Sequence, residues 1–314
     1  MKPIRYILGF VVVAGLAFGA DAVLLGLVPA DARMVAGLDV DRARNSAFGQ
    51  KILNEIKEED SGFRKLVDET GFDPRRDLRS VVMASSGVPA KPGAMVAVRG
   101  TFDITRITQL AQGKGAVSNL YRGIQLWSPP ATESKGQGAV AFLDTSLAVF
   151  GSESAVKAAI DAKLAGKSAM PAALAAKVNQ WSGHDAWFVS TASLGEMGVG
   201  KTGQNAILPG GLAVDSIKEA AAGVRFFADV QISGDVLTRS AQDATALADV
   251  MRFLANMIRL NAPQTGAEPA IAVADSLQVN VNGASAIFAL TVPQGVLDQM
   301  FQNRARKATR AAVR

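Results

Sequence analysis

Along the chain, short stretches in which every second residue is apolar alternate with stretches whose apolar residues recur at three- and four-residue spacing. These are the signatures of half-buried strands and amphipathic helices. Residues 31–40, where Met34, Ala36 and Leu38 alternate, read as a strand. A helix follows after Ser46, with Phe48, Ile52, Leu53 and Ile56 on one stripe, and Gly71 marks its end. Strands are expected near 79–86 and 94–101, on either side of the turn-rich Gly87-Val-Pro-Ala-Lys-Pro-Gly. Asp103 should cap a short helix carrying Ile104, Ile107 and Leu110. Strands at 123–127, 139–144 and 147–150 precede a helix capped by Ser152, with Val156, Ile160 and Leu164 on its face.

The second half repeats this order. Asp31-Ala and the later Gly49-Gln-Lys-Ile-Leu are matched, at one common offset, by Asp185-Ala and Gly203-Gln-Asn-Ala-Ile-Leu. Strands at 221–230 and 236–240 are followed by a long helix with Leu247, Met251, Leu254 and Ile258, then a strand pair at 277–281 and 284–291. Pro293 opens a closing helix with Val296, Leu297, Met300 and Phe301. The expected fold is α+β: two similar halves, each β-α-β-β-α-β-β-α, each a largely antiparallel sheet with helices on one face. The halves span 23–168 and 169–303, between a leader at 1–22 and a basic tail at 304–314.

The leader rests on charge as well as hydropathy. Lys2 and Arg5 precede an uncharged stretch from Tyr6 to Ala20, the layout of a secretory signal. The stretch is shorter than the roughly 20 residues a spanning helix needs, so a retained membrane anchor is the weaker alternative. Small residues stand at the −3 and −1 positions for cleavage after Gly19 (Ala17, Gly19) or after Ala22 (Ala20, Ala22), and cleavage near Ala22 is the expectation. The protein is therefore expected to be exported, periplasmic or extracellular.

Composition narrows the chemistry. With 314 residues, 49% apolar and 19% charged, the chain can bury a core. It holds no cysteine and one histidine, His184, which removes disulfides, thiol nucleophiles, zinc ribbons and histidine-rich metal sites. Aromatic residues, at 6%, are thin for a platform that stacks nucleic-acid bases or sugars. The net charge of +5 is concentrated in the tail, where Arg304, Arg306, Lys307, Arg310 and Arg314 stand without an acidic residue. The body is close to neutral, so no nucleic-acid partner is expected and the tail is at most a contact for an anionic surface.

The run from Leu27 to Val40, Ser46-Ala-Phe-Gly-Gln and Glu69-Thr-Gly-Phe-Asp-Pro-Arg-Arg-Asp-Leu resemble a group of uncharacterised exported bacterial proteins. Those begin, after a signal peptide, with a similar Pro-Ala-Asp-Ala strand. The resemblance implies export and a duplicated α+β fold, and it carries no activity.

Two motifs invite an enzymatic reading. Residues 195–202, Gly-Glu-Met-Gly-Val-Gly-Lys-Thr, fit the phosphate-loop pattern and follow a strand at 186–190. That mechanism needs a helix starting at the lysine, whose amides face the phosphate, and Pro209-Gly-Gly leaves room for about two turns. The hairpin-rich order also lacks the parallel sheet such loops join, so the segment reads as a glycine-rich loop. Ser154-Ala-Val-Lys157 and Lys201-Thr202-Gly203 match the S-x-x-K and K-T-G of penicillin-recognising serine enzymes, but Ser182-Gly-His184 stands where an S-x-N belongs.

His184 reads as a turn residue. Asp73, Arg75, Arg76, Asp77 and Arg79 read as surface ion pairs, Glu58-Glu59-Asp60 as a solvated helix end, and Met251, Leu254, Met257 and Ile258 as core. The expectation is a non-catalytic binding or scaffolding protein of the cell envelope, with no catalytic, cofactor or metal residues assigned. Its partner would be an envelope protein or a small ligand. The alternative is a hydrolase or nucleotide-dependent enzyme centred on Lys201.

Overall fold

Local sequence signals set most element starts. In the computed structural model, which describes residues 21–55, 61–87, 93–130, 138–197, 212–265 and 269–299, Asp21 caps α1 (Ala22–Gly26) by accepting from the amides of Val23 and Leu24. After β1 (Met34–Asp39), Asp39 caps α2 (Val40–Asn45), and α3 (Ala47–Glu55) and α4 (Ser61–Thr70) follow. The single helix expected from Ser46 to Gly71 is thus in pieces, although Gly71 does terminate the last of them with a positive φ of 74°. Asp73 caps the one-turn α5 (Pro74–Asp77), which leads into β2 (Leu78–Ser85) and β3 (Met95–Gly100).

Asp103 caps α6 (Ile104–Gly113) through the amide of Arg106. Next come β4 (Val117–Tyr121), β5 (Ile124–Ser128), β6 (Gly138–Asp144) and β7 (Leu147–Ser152). The sequence does not announce β4, because this outermost strand is almost wholly exposed and shows no apolar alternation. Ser152 caps α7 (Glu153–Ala165), and α8 (Ala172–Trp181) precedes β8 (Ala186–Ser190). Then β9 (Ile217–Phe226), β10 (Val230–Thr238), α9 (Ala241–Thr265), α10 (Pro269–Ser276), β11 (Gln278–Asn282) and β12 (Ser285–Val292) complete the described order. Neither α8 nor α10 was expected; both are short and alanine-rich, with few large apolar residues to mark a stripe.

The α+β class and the antiparallel pairing hold. A separate sheet for each half does not: one twelve-stranded sheet runs β11-β12-β10-β9-β8-β1-β2-β3-β7-β6-β5-β4. The joint is the antiparallel pair β1–β8, with Val35 opposite Val189 and Gly37 opposite Trp187.

Helices also cover both faces rather than one, because successive residues of a strand point to opposite sides. Val35, Val82, Ala84, Met95, Ala97 and Val149 pack on one side with Leu24 and Val28, with Val156 and Ile160 of α7, and with Leu174 and Val178 of α8. Val81, Val96, Val98 and Ala148 pack on the other with Phe72, Phe102, Ile104 and Ile107. Register carries this second face through Met34, Ser190 and Ala220 to Val236, where α9 lies, with Leu247 and Met251 near Ala286. Beyond β9 the first face is open and mixed in character: Gln231, Gln278, Asn280, Ile287 and Ala289 are all exposed.

One expectation about the core is overturned. On α9, Leu254, Met257 and Ile258 are 48%, 41% and 41% exposed, and only Met251 of the expected stripe packs inward. What α9 turns inward is Leu247 and Val250, 6% and 7% exposed, together with Ala244, Ala248, Ala255 and Ala262, each at most 5% exposed. Beyond Met251 the inward positions are small, and the large apolar residues of that stretch stand outside.

Candidate functional site

Two places on the molecule bring unusual chemistry together: a polar cleft at one end of the central strands, and the outer side of α9.

The cleft, of about 310 Å³, is lined by Asp21, Asp39, Arg42, Ser80, Arg99, His184 and Trp187. The strand register puts these groups together, since Asp39 pairs with Ser80, and Ser80 with Arg99, at the ends of β1, β2 and β3. Asp21 then enters from α1. Its carboxylate accepts from Arg99 Nε and, at 3.2 Å, from Arg99 Nη2, while Ser80 Oγ donates to it at 3.4 Å. Burial pushes the Asp21 carboxyl up, but the Arg99 guanidinium and the two helix amides together outweigh it and hold the group below its ordinary value. Arg42 pairs with Asp39 at 3.2 Å and Asp185 at 3.4 Å, and Asp185 also accepts from the amide of Phe226 at 2.7 Å. Asp21, Arg99, Asp39 and Arg42 are thus matched to one another as in a seam that closes a sheet end, while Asp41 and the exposed Arg79 also line the cleft.

His184 closes the same cleft between α8 and β8. Its Nδ1 lies 2.9 Å from the Trp181 carbonyl oxygen, which can only accept, so Nδ1 carries the proton. Nε2 is left to accept from Ser233 Oγ at 3.3 Å. The ring stacks on Trp181 at 5.2 Å between centroids and lies over Gly223. Every edge of the imidazole is engaged, as befits a turn residue tying α8 to β9 and β10.

Among the described residues, the serine-enzyme candidates Ser154, Lys157 and His184 do not come together. Ser154 lies in the first turn of α7, and Lys157 pairs with Glu153 at 2.5 Å while sitting over the Tyr121 ring. The hydrogen bond to Glu153 pushes the Lys157 ammonium up, opposite to the shift a lysine needs to take a proton from serine. His184 is remote as well. Strands β7 and β8 stand four steps apart in the sheet, about 19 Å at 4.8 Å per step. Ser154 leaves from the Gly151–Met95–Ala84–Val35–Val189 end, and His184 from the other end.

Lys201, Thr202 and Gly203 lie outside the described residues, as do Glu58-Glu59-Asp60, the leader to residue 20 and the tail at 304–314. The start of the phosphate-loop pattern is described. Ser193 and Glu196 form a reciprocal capping box: the Ser193 amide donates to Glu196 Oε2 at 2.9 Å and the Glu196 amide to Ser193 Oγ at 3.3 Å. Arg33 grips both oxygens of Glu196, at 2.8 and 3.0 Å. These bonds, Arg33 first and Ser193 second, pull the Glu196 carboxyl down to about 2. Asp215 Oδ1 occupies the space a side chain at Gly195 would need. Glu196 is neutralised by Arg33, and Asp215 puts a further carboxylate against Gly195 at the mouth of the pattern, where it disfavours a polyphosphate.

Asp73 pairs with Arg75 at 2.9 Å and Asp77 with Arg76 at 2.7 Å; Asp77, 8% exposed, also accepts from the amide of Asp73. Among the described residues no group of three or more histidine, aspartate or glutamate side chains is placed to hold a metal ion, and no helix is long and apolar enough to cross a membrane.

The outer side of α9 is the second place. Phe253, Met257 and Leu260, at i, i+4 and i+7, are 54%, 41% and 68% exposed and form a stripe opposite the buried Ala255. Leu254 and Ile258 flank it. On the other flank Arg259 donates to Asp275 at 2.6 Å and to the Ala274 carbonyl at 2.8 Å, pinning α9 to α10.

No family model matches the chain, and no curated protein does. Solved structures do. The chain is similar to TP0453 in its crystal form I, with a TM-score of 0.47, 11% identity, and coverage of 88% of this chain and 97% of that one. Crystal form IV of TP0453 gives a TM-score of 0.48 and 12% identity over 88% of this chain and 96% of that one. At such identity and score the likeness says nothing of function.

Proposed function

We propose that the protein is an exported, non-catalytic binding or scaffolding protein of the cell envelope, and that it meets an envelope protein through the outer side of α9. The observation that carries this reading is the exposed Phe253–Met257–Leu260 stripe. Contiguous large apolar side chains in water are costly, and where a fold presents them in helical register they serve as the face of a partner. The groups with catalytic promise support the same reading from the other side, since Lys157, His184 and Glu196 are each held by neighbours that oppose their use. β1–β2–β3 and β8–β9–β10 run outward from the central pair in the same order, which supports the duplication proposed from the sequence.

Co-sedimentation with washed envelope membranes tests the reading. Binding of the wild-type protein is expected to saturate, to be abolished by protease treatment of the membranes beforehand, and to weaken at least tenfold in a Phe253→Glu, Leu260→Glu variant whose thermal midpoint is unchanged. Binding that survives both treatments overturns it. Micromolar binding of Mg-ATP lost on Lys201→Ala, or labelling of Ser154 by a β-lactam probe, would restore the enzymatic alternative.

A further inference from the structure

The cleft bears on where the mature chain starts. We propose that Asp21 belongs to the mature protein, the leader being removed by hydrolysis of the Gly19–Ala20 bond and not of the Ala22–Val23 bond. The proposal rests on the reading that the protein is exported.

Both bonds present small residues at −3 and −1, so sequence alone leaves them equivalent or favours the second. The fold separates them. The Asp21 side chain is only 17% exposed, and it performs three tasks: it caps α1, it neutralises Arg99, and it accepts from Ser80. The helix it caps is no fringe element, for its Leu24 and the two residues that follow its last turn, Leu27 and Val28, are at most 1% exposed within the main core.

Hydrolysis after Ala22 would remove the carboxylate and leave a new ammonium on Val23. That charge would stand at the first-turn amides of α1 and beside the Arg99 guanidinium, which is 25% exposed and would keep its bond to Ser146 but lose the carboxylate it pairs with. Hydrolysis after Gly19 has the opposite consequence. A signal peptidase delivers the oxygen of water to the Gly19 carbonyl carbon, the leader departs as a carboxylate, and the ammonium appears on Ala20. Asp21, one residue on in the sequence, then stays in the chain with its bonds to Arg99, Ser80 and the α1 amides.

The test is the N-terminus of the full-length gene product isolated from a bacterial host and read by intact mass and terminal sequencing. A start at Ala20 in the exported fraction is expected. A start at Val23 overturns the proposal while leaving export intact, and so does an uncleaved chain held in the membrane. Full-length chain confined to the cytosol instead brings down the export reading, and the processing proposal with it.

A second measurement checks the cause. Protein beginning at Val23 should melt several degrees below protein beginning at Ala20, and Asp21→Ala in the longer form should reproduce most of that loss. The same substitution should cost much less when Arg99 is already Gln. Equal midpoints for the two starts would remove the physical basis of the proposal.

Discussion

Gly37 of β1 and Trp187 of β8 are direct partners across the central pair, and the indole lies over the glycine where a side chain would otherwise stand. This pair joins the strands of the first half to those of the second. Trp187 is 5% exposed and has little room to move aside. Gly37→Ala should therefore destabilise the protein by about 1–3 kcal/mol through overpacking. Urea denaturation followed by tryptophan fluorescence checks this, and an unchanged midpoint would mean that the indole can shift freely.

Two leucines on α9 should respond unequally to the same truncation. Leu247 is 6% exposed and packs near Ala286, whereas Leu254 is 48% exposed. Leu247→Ala is expected to cost about 2–4 kcal/mol and Leu254→Ala less than about 1 kcal/mol. Thermal unfolding of the two variants distinguishes the inward side from the outward side, and equal losses would contradict the orientation of the helix.

The Asp21–Arg99 pair sets a pH dependence. Because the folded carboxyl lies below its ordinary value of 3.8, its contribution is complete above that value and is lost as pH falls through the lower folded one. Asp21→Ala should cost about 2–3 kcal/mol near neutrality, from the lost cap and the charge-assisted hydrogen bonds. The gap between wild type and variant should narrow in acid. Melting curves from pH 7 down to pH 2 check both statements, and a gap independent of pH would show that Arg99 does not hold the ionised form.

Glu196 behaves alike over a wider window. Held at about 2 against an ordinary 4.5, it keeps its ties to Arg33 and Ser193 as pH falls through 4.5 and releases them as pH approaches about 2. The side chain is 48% exposed, so solvent screens the pair and the global stability should change little. The release should be local. Amide exchange at Ser193 and Glu196 is expected to accelerate in Glu196→Gln at neutral pH, and undiminished protection would argue that the capping box alone holds the turn.

What could be read from residues alone was whatever a few neighbours decide. Asp103 and Ser152 were legible as helix caps because a cap is a bond from a side chain to an amide three residues on, here Arg106 and Ala155. Gly71 was legible as a helix end because its positive φ is intrinsic to glycine. The strand at 34–39 and the ordering of α and β elements were likewise legible, so the α+β class and the antiparallel pairing were within reach, although the buried positions of β1 are Val35 and Gly37 and not the alternating Met34, Ala36 and Leu38. His184 as a turn residue and Asp73–Arg75 as an ion pair needed no more than sequence neighbours.

What tertiary structure alone decided depends on partners far along the chain. Arg99 as the counter-ion of Asp21, 78 residues away, is set by the register of β1, β2 and β3, which no short window contains. The fusion of both halves into one sheet follows from the β1–β8 pairing, and the exposure of Leu254 and Met257 from a helix that turns its alanines inward. Hydrophobic periodicity states only that a helix has an apolar side. Which side is buried is settled by the neighbours the helix meets, and on α9 Leu247 and Val250 go inward with four alanines while Leu254 and Met257 stay outside.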